Sequence, residues 1–364
     1  MIRNQSEVGF LGPRMFKNQN QRKTPNMSVM IKRNLLFCLF ALIAAACETE
    51  ESLPINNGAP VVTAQESYSV LVDSDITYAN GLSHDGSSHA TSEKNLELDV
   101  YYPDNESTNR PAYVFIHGGG FKGGTKTKPE IVAMAHYFAS RGWVFMSIDY
   151  RTSSDLGSIY TGIAPQAWID SIQTYATSEE DAQVGIAMYA AQRDAKASMR
   201  WVMANALNYG INTDFITVGG ASAGAITTIG LGITDEEDFR DEISITEDPT
   251  LLSTNLSQRY NIRSIVNFWG SNIKLELFES VYAKSPYDGR DPELLTAHGT
   301  KDSNPVTTYG EAVELKGIYD SYGIYNELVT LNAGHGAWNA TVNNKGLSEL
   351  SFDFLVDRQQ LKVE

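Results

Sequence analysis

Cysteine is nearly absent from this chain of 364 residues, which contains only Cys38 and Cys47. Two cysteines near one end cannot staple a fold with disulfides, so stability must come from the hydrophobic core. Cys38 lies in a segment that we expect to be removed, which leaves Cys47 alone in the mature chain. A thiol nucleophile and a zinc–thiolate centre are therefore excluded for the mature protein.

Positive charge is also scarce. The chain has 28 lysines and arginines against 44 aspartates and glutamates, which gives a net charge of −16. A surface this acidic does not attract nucleic acid or anionic lipid through charge, so we expect neither to be recruited in that way. The hydrophobic content of 42%, with 10% aromatic residues, is typical of a globular protein with a large core.

The apolar run at the N-terminus, from Leu35 to Ala46, is too short to span a bilayer stably. It follows Lys32 and Arg33 and ends in small residues, which is typical of a secretory signal. Cys47 comes directly after the small residues and resembles the lipidation site of a bacterial lipoprotein. We therefore expect export to the cell envelope and a membrane link through a lipid anchor only. An ordinary secretory signal with an incidental Cys47 is the alternative.

Three segments are expected along the chain. Residues 1–46 form a signal region, with the lipoprotein signal peptide at 27–46. Residues 47–66 are polar and contain Pro and Gly, which is typical of a tether. Residues 67–364 form one folded domain. The tether opens with acidic residues, which resemble a lipoprotein surface-export signal of some Gram-negative bacteria and equally fit a solvated linker: Glu48, Glu50 and Glu51.

The pattern of apolar residues indicates an α/β fold. Two strands, Tyr68–Tyr78 and Asn95–Tyr102, come first, with a turn predicted at 79–94. Continuous apolar runs then alternate with helical periodicity, which indicates a mostly parallel central sheet covered on both faces, with antiparallel strands at its N-terminal edge. The later strands are predicted at Ala112–Ile116, Trp143–Ile148, Phe215–Val218, Ile262–Phe268, Leu294–Ala297 and Glu327–Leu331. The helices are predicted at Pro129–Arg141, Val184–Asn208, Ala223–Ile233, Val306–Tyr322 and Leu347–Arg358.

A single G-x-S-x-G pentapeptide, Gly220–Gly224, stands between the strand Phe215–Val218 and the helix Ala223–Ile233. A sharp strand-to-helix turn needs small neighbours and holds the Ser222 hydroxyl clear of the sheet. The N-terminus of the next helix supplies a backbone N–H and a favourable dipole for a developing oxyanion. We therefore expect Ser222 to be a nucleophile, whereas the pentapeptide without this context would equally fit a turn with no chemistry.

Glycines also follow the third predicted strand, in the segment His117–Gly120. They let the backbone approach a substrate closely and turn its N–H groups inward. Together with G-x-S-x-G, this segment resembles the oxyanion-hole motif of the hormone-sensitive-lipase-like and carboxylesterase branches of the α/β-hydrolase fold. The resemblance implies that the N–H groups of Gly119, Gly120 and Ala223 form the oxyanion hole. It also implies that His117 is a structural residue beneath the loop and not the general base.

The α/β-hydrolase fold places its catalytic residues in the order Ser, acid, His. Of the two histidines after Ser222, His298 comes too early, so His335, in a glycine-flanked loop after the last strand, is the expected base. The segment His298–Asp302 resembles the His-Gly-x-x-Asp element that carries the acid in many esterases and dienelactone-type hydrolases. Asp302 is therefore expected to orient the base. The rival carboxylates lie before the strand or late in a helix: Asp288, Asp291 and Asp320.

The resemblance covers about residues 95–360, and two further segments match structural parts of that fold: Asp149–Arg151 and Gln192–Asp194. The N-terminal part departs from the hormone-sensitive-lipase group because strands replace its helical cap, as in lid-poor bacterial esterases related to feruloyl and acetyl-xylan esterases. The resemblance implies a serine esterase for short-chain esters, on small molecules or polysaccharides, that uses an acyl-enzyme and no metal or cofactor. A serine peptidase of related fold and a non-catalytic surface binding protein are the alternatives. Trp269, after a strand, is either a substrate contact or a packing residue.

Overall fold

A computed structural model describes residues 58–84, 91–157 and 162–364. The strands are β1 (Val61–Val62), β2 (Val70–His84), β3 (Thr91–Pro103), β4 (Arg110–Ile116), β5 (Val144–Ile148), β6 (Ile211–Ala221), β7 (Ser264–Phe268), β8 (Glu293–Gly299), β9 (Asn326–Leu331) and β10 (Lys362–Val363). The helices are α1 (Pro129–Ala139), α2 (Gln166–Tyr175), α3 (Glu179–Asn205), α4 (Ala223–Ile233), α5 (Ile273–Tyr282), α6 (Tyr309–Tyr322) and α7 (Leu347–Gln359). Single 3-10 turns lie at Ser153–Asp155 and Pro249–Ser253.

Eight of these strands form one sheet in the order β2-β3-β5-β4-β6-β7-β8-β9. The pairs β2–β3 and β3–β5 are antiparallel, and the remaining pairs of this sheet are parallel. Strands β4, β5 and β7 are buried along their whole length, as expected where helices cover both faces of a sheet. The predicted fold class is therefore confirmed: a mostly parallel sheet with flanking helices and antiparallel strands at its N-terminal edge.

Alternate side chains of β4 enter two separate hydrophobic clusters, one on each face of the sheet. Ala112, Val114 and Ile116 join the cluster that contains residues of α3 and α4. Tyr113 and Phe115 join the cluster that contains residues of α1 and α7. Successive residues of a strand point to opposite faces, so a strand that is covered on both sides needs apolar residues at every position. The apolar runs of the sequence follow from this arrangement.

Helix α3 begins at Glu179, earlier than the predicted Val184. The Ser178 side chain accepts a hydrogen bond from the Asp181 N–H and caps the helix, and the acidic first turn suits the positive end of the helix dipole. Helices α2 and α5 were not expected, because ten residues are too few for periodicity to separate a helix from a loop. No helix in the described part of the chain is both long and apolar enough to span a membrane.

The turn predicted at residues 79–94 is wrong for residues 79–84 and 91–94, which lie in strands. Strand β2 continues to His84 and β3 begins at Thr91, and Leu82 is paired with Glu93 inside this segment. Residues 78–84 of β2 are mostly buried, and a Cβ on Gly81 would lie 2.6 Å from Arg151 Nε, so glycine here permits close packing inside a strand and does not mark a turn. Composition alone therefore suggested a turn where the two strands continue.

The tether predicted for residues 47–66 extends too far into the domain. Strand β1 pairs in parallel with β10, with Val61 opposite Lys362 and Val62 opposite Val363. Val62 is fully buried, so residues 58–66 belong to the folded domain. The predicted signal region, Cys47 and the rest of the predicted tether lie outside the described residues.

The two segments interpreted as architecture meet in the core. The Arg151 guanidinium lies 2.6 Å from Asp194 Oδ1, and both side chains are buried. The Arg151 N–H also donates to Asp194 Oδ2 at 2.8 Å, and its guanidinium donates to the Leu82 carbonyl at 3.0 Å. This buried pair ties the end of β5 to the middle of α3 and fixes that helix against the sheet.

Candidate active site

Ser222 lies on a sharp turn between β6 and α4. Its backbone angles, φ 55° and ψ −121°, fall in a region that L-residues rarely adopt, so the turn is strained. Gly220 and Gly224 on either side of Ser222 are required because there is no room for a side chain at either position. A Cβ on Gly220 would lie 2.5 Å from the Gly224 backbone, and one on Gly224 would lie 2.0 Å from the Ile116 carbonyl oxygen. The turn therefore holds Ser222 between the carboxyl end of β6 and the N-terminus of α4.

The structure brings together the side chains of Ser222, His335 and Asp302. His335 Nε2 lies 2.9 Å from Ser222 Oγ, and His335 Nδ1 lies 2.8 Å from Asp302 Oδ2. Asp302 follows β8 and His335 follows β9, so both loops leave the same edge of the parallel sheet as Ser222. A carboxylate can only accept, so Nδ1–H donates to Asp302 and leaves the Nε2 lone pair to accept the Ser222 proton.

The Asp302 carboxylate is buried within a set of hydrogen-bond donors. His298 Nε2 lies 3.1 Å from Oδ2, and the Asn304 N–H donates to Oδ1 at 2.9 Å. Burial alone would raise the pKa of Asp302. The hydrogen bonds from His298, His335 and Asn304 outweigh burial and hold that pKa well below its ordinary value. Asp302 is therefore ionised at neutral pH.

Two residues that support this arrangement were not identified in the sequence. Thr307 Oγ1 lies 3.2 Å from His335 Nδ1 and 3.5 Å from Asp302 Oδ2, and the Thr307 carbonyl lies 2.8 Å from His298 Nε2. The His-Gly-x-x-Asp element contains His298, which the order of the catalytic residues excludes as a base but not as a partner of the acid. The predicted helix Val306–Tyr322 includes Thr307, whereas α6 begins at Tyr309 and the preceding residues form a loop.

The loop of residues 117–124, which we call the glycine loop, lies against Ser222. The φ angles of Gly119 and Gly120 are +136° and +63°, which favour glycine. A Cβ on Gly118 would lie 3.2 Å from Ser222 Cβ. Ala223 is the first residue of α4, where backbone N–H groups have no partner within the helix. All the residues predicted to form the oxyanion hole therefore lie beside or directly after Ser222.

A cavity of about 270 Å³ opens beside Ser222. Val184 and Met188 of α3 and Ile226 of α4 make much of its wall apolar. The sequence did not reveal that α3 contributes to this cavity, because apolar helix residues that line a cavity have the same spacing as those that fill a core. The cavity is lined by Gly120, Phe121, Lys122, Val184, Met188, Ser222, Ala223, Ile226, Asn304, Pro305, Val306 and Thr307.

Trp269 does not line this cavity, and the structure corrects its suggested role as a substrate contact. Its side chain is 1% exposed. Its backbone φ, directly after β7, is +44°. Its ring centroid lies 5.2 Å from that of Trp338 and 6.4 Å from that of His335. Trp269 therefore packs behind His335 and supports the position of that imidazole.

A protein-family model described as BD-FAE matches residues 98–161 and 183–295. The matched segments include the glycine loop and Ser222 and end before Asp302 and His335. Among curated proteins, the chain is similar to carboxylesterase 1C of Rattus norvegicus, with 29% identity over 171 residues, which are 46% of this chain and 27% of that protein. The chain therefore spans about a quarter of the length of this relative.

Two solved structures share the architecture. A truncated carbohydrate esterase from gut microbiota matches with a TM-score of 0.51 and 21% identity, over 83% of this chain and 100% of that chain. A butyrate-bound esterase of the Planctomycetes species Thermogutta terrifontis matches with a TM-score of 0.52 and 19% identity, over 80% of this chain and 94% of that chain. At these identities the likeness concerns the fold. The sheet order, the strained serine turn and these structural matches together show that the chain has the α/β-hydrolase fold.

Proposed function

We propose that the protein is a serine esterase that hydrolyses carboxylic esters through an acyl-enzyme. The observation that carries the proposal is the hydrogen-bonded line from Ser222 Oγ through His335 to the ionised Asp302, at the wall of an apolar cavity. The similarity to the BD-FAE model and to a carboxylesterase supports it.

In the proposed reaction, His335 Nε2 takes the Ser222 proton while Oγ attacks the ester carbonyl carbon. The N–H groups of Gly119, Gly120 and Ala223 stabilise the oxyanion of the tetrahedral intermediate. The intermediate collapses, the C–O bond to the alcohol breaks, and the alcohol leaves with the proton from His335. A water molecule then attacks the acyl-enzyme with the same histidine as base, which releases the acid and restores Ser222.

The size of the cavity supports a short or ring-containing acyl group. A cavity of about 150 Å³ binds benzene, so 270 Å³ holds roughly eleven non-hydrogen atoms at the same density. An acetyl group fits easily, whereas a feruloyl group, with its ten carbon and three oxygen atoms, slightly exceeds this space and would leave part of the group outside the cavity. A palmitoyl chain exceeds this space. We therefore propose acetyl or feruloyl esters, on small molecules or on polysaccharides, as the substrate class.

The test is hydrolysis of nitrophenyl esters from acetate to laurate, together with methyl ferulate and acetylated xylan. We expect the highest rate at acetate to butyrate among the nitrophenyl esters, with no jump in rate when emulsion forms. Ser222→Ala should abolish both turnover and labelling by a fluorophosphonate probe while the thermal unfolding curve is unchanged. Full activity of Ser222→Ala would disprove the proposed mechanism, and failure of the wild type to label would favour a non-catalytic binding protein.

We further propose that Cys47 is lipidated and anchors the protein to the cell envelope. The proposal rests on the apolar run Leu35–Ala46 followed directly by a cysteine. Growth with labelled palmitate should tag the wild type, and Cys47→Ala should be unlabelled and released from the membrane fraction. Cys38→Ala is the matched control and should be labelled like the wild type. Soluble, unlabelled wild-type protein would contradict the proposal.

A further inference from the structure

Both ring nitrogens of the buried His117 face oxygen atoms that accept hydrogen bonds. Nδ1 lies 2.8 Å from the Gly118 carbonyl oxygen, and Nε2 lies 3.3 Å from Asp149 Oδ1. The carbonyl oxygen can only accept, and Asp149 Oδ1 already accepts the Lys126 N–H at 2.6 Å. A neutral imidazole has a single N–H and would leave one ring lone pair directed at an oxygen lone pair. Two N–H groups satisfy both contacts.

We propose that His117 is held as an imidazolium by Asp149 and positions the Gly119 N–H for the oxyanion. This inference rests on the proposed esterase function, because the oxyanion belongs to that reaction. His117 would act through the glycine loop, without touching the substrate. It is therefore a positioning residue, and it is distinct from the base His335.

The surroundings of His117 favour a cation. Its ring stacks on Tyr150 with 4.4 Å between the centroids, a geometry in which a charged ring is attracted to an aromatic face. A buried imidazolium needs a paired charge, which Asp149 supplies. Burial alone would raise the pKa of Asp149, but the hydrogen bonds from His117 and the Lys126 N–H lower it below its ordinary value.

The other charged groups near His117 do not oppose a positive charge. A polar cavity of about 220 Å³ behind the glycine loop is lined by His117, Asp149 and Glu97, and by Lys94 and Asp155. Lys94 and Asp155 form an ion pair at 2.8 Å and offset each other. The nearby Lys126 ammonium is paired with Asp75 at 2.6 Å and Asp99 at 2.7 Å. Asp149 and Glu97 thus leave the environment of the imidazole negative.

Peptide geometry links His117 to the oxyanion hole. The Gly118 carbonyl and the Gly119 N–H belong to one planar, trans peptide unit and point in opposite directions. The bond from His117 Nδ1–H to the Gly118 carbonyl therefore directs the Gly119 N–H away from His117. A charged donor also polarises this peptide unit and makes its N–H a stronger donor. Gly124 packs so closely that a Cβ there would lie 2.3 Å from both His117 Nδ1 and the Gly118 oxygen, which holds this contact in place.

The protonation state can be measured without any turnover. Ser222→Ala protein with ¹⁵N-labelled histidine would be studied by long-range ¹H–¹⁵N NMR from pH 6 to pH 9, with the His117 signals assigned by their loss in Ser222→Ala/His117→Asn. We expect both His117 nitrogens to give shifts of protonated nitrogen at pH 7.5. A single unprotonated His117 nitrogen at pH 7.5 would overturn the proposal and leave the esterase mechanism untouched.

The effect on the oxyanion is tested with two His117 variants. His117→Leu removes the donor to Gly118 and should lower kcat for nitrophenyl acetate on the order of 100-fold, with little change in KM, because one oxyanion donor is misplaced. His117→Asn offers a neutral amide donor, so its kcat should fall less than that of His117→Leu, on the order of 10-fold below the wild type. Wild-type kcat in His117→Asn would show that the charge is not needed, and wild-type kcat in His117→Leu would overturn the positioning role.

Two substitutions in the polar cavity separate the Asp149 charge from general electrostatics. Asp149→Asn should lower kcat on the order of 10-fold and give His117 a single N–H signal at pH 7.5. Glu97→Gln removes a negative charge from the same cavity and should leave both kcat and the His117 signals unchanged. Equal effects of the two substitutions would overturn the specific pairing of His117 with Asp149.

Discussion

Asp302 and His298 share a hydrogen bond on the same carboxylate oxygen that contacts His335: His298 Nε2 lies 3.1 Å from Asp302 Oδ2. Both side chains are fully buried, so solvent cannot replace this bond if it is lost. The carboxylate that orients His335 is therefore itself oriented by a second histidine, which lies near the end of β8.

His298→Leu should destabilise the protein by about 1.5–3 kcal/mol at pH 7, because it removes a hydrogen bond to a buried charge. Because the pKa of Asp302 is lower in the folded protein than its unfolded value of 3.8, this carboxylate stabilises the fold at pH values above 3.8. The stabilisation is lost as the pH falls below that value. The difference between wild type and variant should therefore shrink below about pH 4. Urea unfolding at pH 7 and pH 3.5 measures it. His298→Gln retains a donor and should lie close to the wild type, and a difference that does not change with pH would contradict this account.

Asp302→Asn should lower kcat on the order of 10⁴-fold, because the amide favours the wrong imidazole tautomer of His335. Asp291, before β8, is the matched control. Burial raises the pKa of Asp291 to about 7, so Asp291→Asn mimics its protonated form and should leave kcat unchanged at pH 6. The measurement is the steady-state rate on nitrophenyl acetate for both variants. A large loss in Asp291→Asn with little loss in Asp302→Asn would reassign the acid.

Lys196 should make stability rise with pH above neutrality. Its ammonium donates to the Asp235 carbonyl at 2.5 Å, and burial lowers its pKa to about 7 from 10.5. Between these values the unfolded chain binds the proton and the folded chain does not, so stability from this group increases from pH 7 to 10.5. The free energy of unfolding of Lys196→Met, relative to that of the wild type, should therefore be higher at pH 6 than at pH 10.

The measurement for Lys196 is the free energy of unfolding in urea at both pH values. Lys316→Met, at an exposed position on α6, is the control and should show no such difference between the two pH values. An effect of Lys196→Met that is the same at pH 6 and pH 10 would show that the buried amine stays charged across this range.

Met188→Ala should shift the acyl-chain preference toward longer esters. Met188 lines the cavity beside Ser222, so its truncation enlarges the space for the acyl group. Met199→Ala is the control, because Met199 is buried on the same helix and is not among the lining residues. Both substitutions should cost about 2–5 kcal/mol of stability. The ratio of kcat/KM for octanoate over butyrate should rise only in Met188→Ala, and an equal rise in Met199→Ala would mean that the cavity is not the acyl site.

The sequence predicted the parts of this fold that local patterns determine. The apolar runs at β4 and β5 need no distant information, since burial on both faces appears directly in the residues. The three residues Ser222, Asp302 and His335 could be chosen because each follows a predicted strand, and parallel strands end at one edge of the sheet. Their spatial proximity followed from that order.

The features that were missed depend on contacts between distant segments. Val61 pairs with Lys362 across almost the whole chain, and nothing in the polar composition around it indicates a strand. Thr307 reaches His335 only because α6 begins two residues later than Thr307. The burial of Trp269 accompanies a backbone angle of +44°, which the amino-acid type does not suggest. Such positions require the tertiary structure itself.

The short pairing of β1 with β10 determines how the domain responds to mechanical load. A pull on the chain before residue 58 reaches the bonds from the Lys362 N–H to the Pro60 carbonyl and from the Glu364 N–H to the Val62 carbonyl, each 3.0 Å long. Strands β1 and β10 form a two-stranded sheet separate from the eight-stranded one. The Thr63 N–H also donates to the Arg141 carbonyl, and Val62 is buried in the core. Tension on this end of the chain is therefore borne first by contacts outside the sheet that carries Ser222.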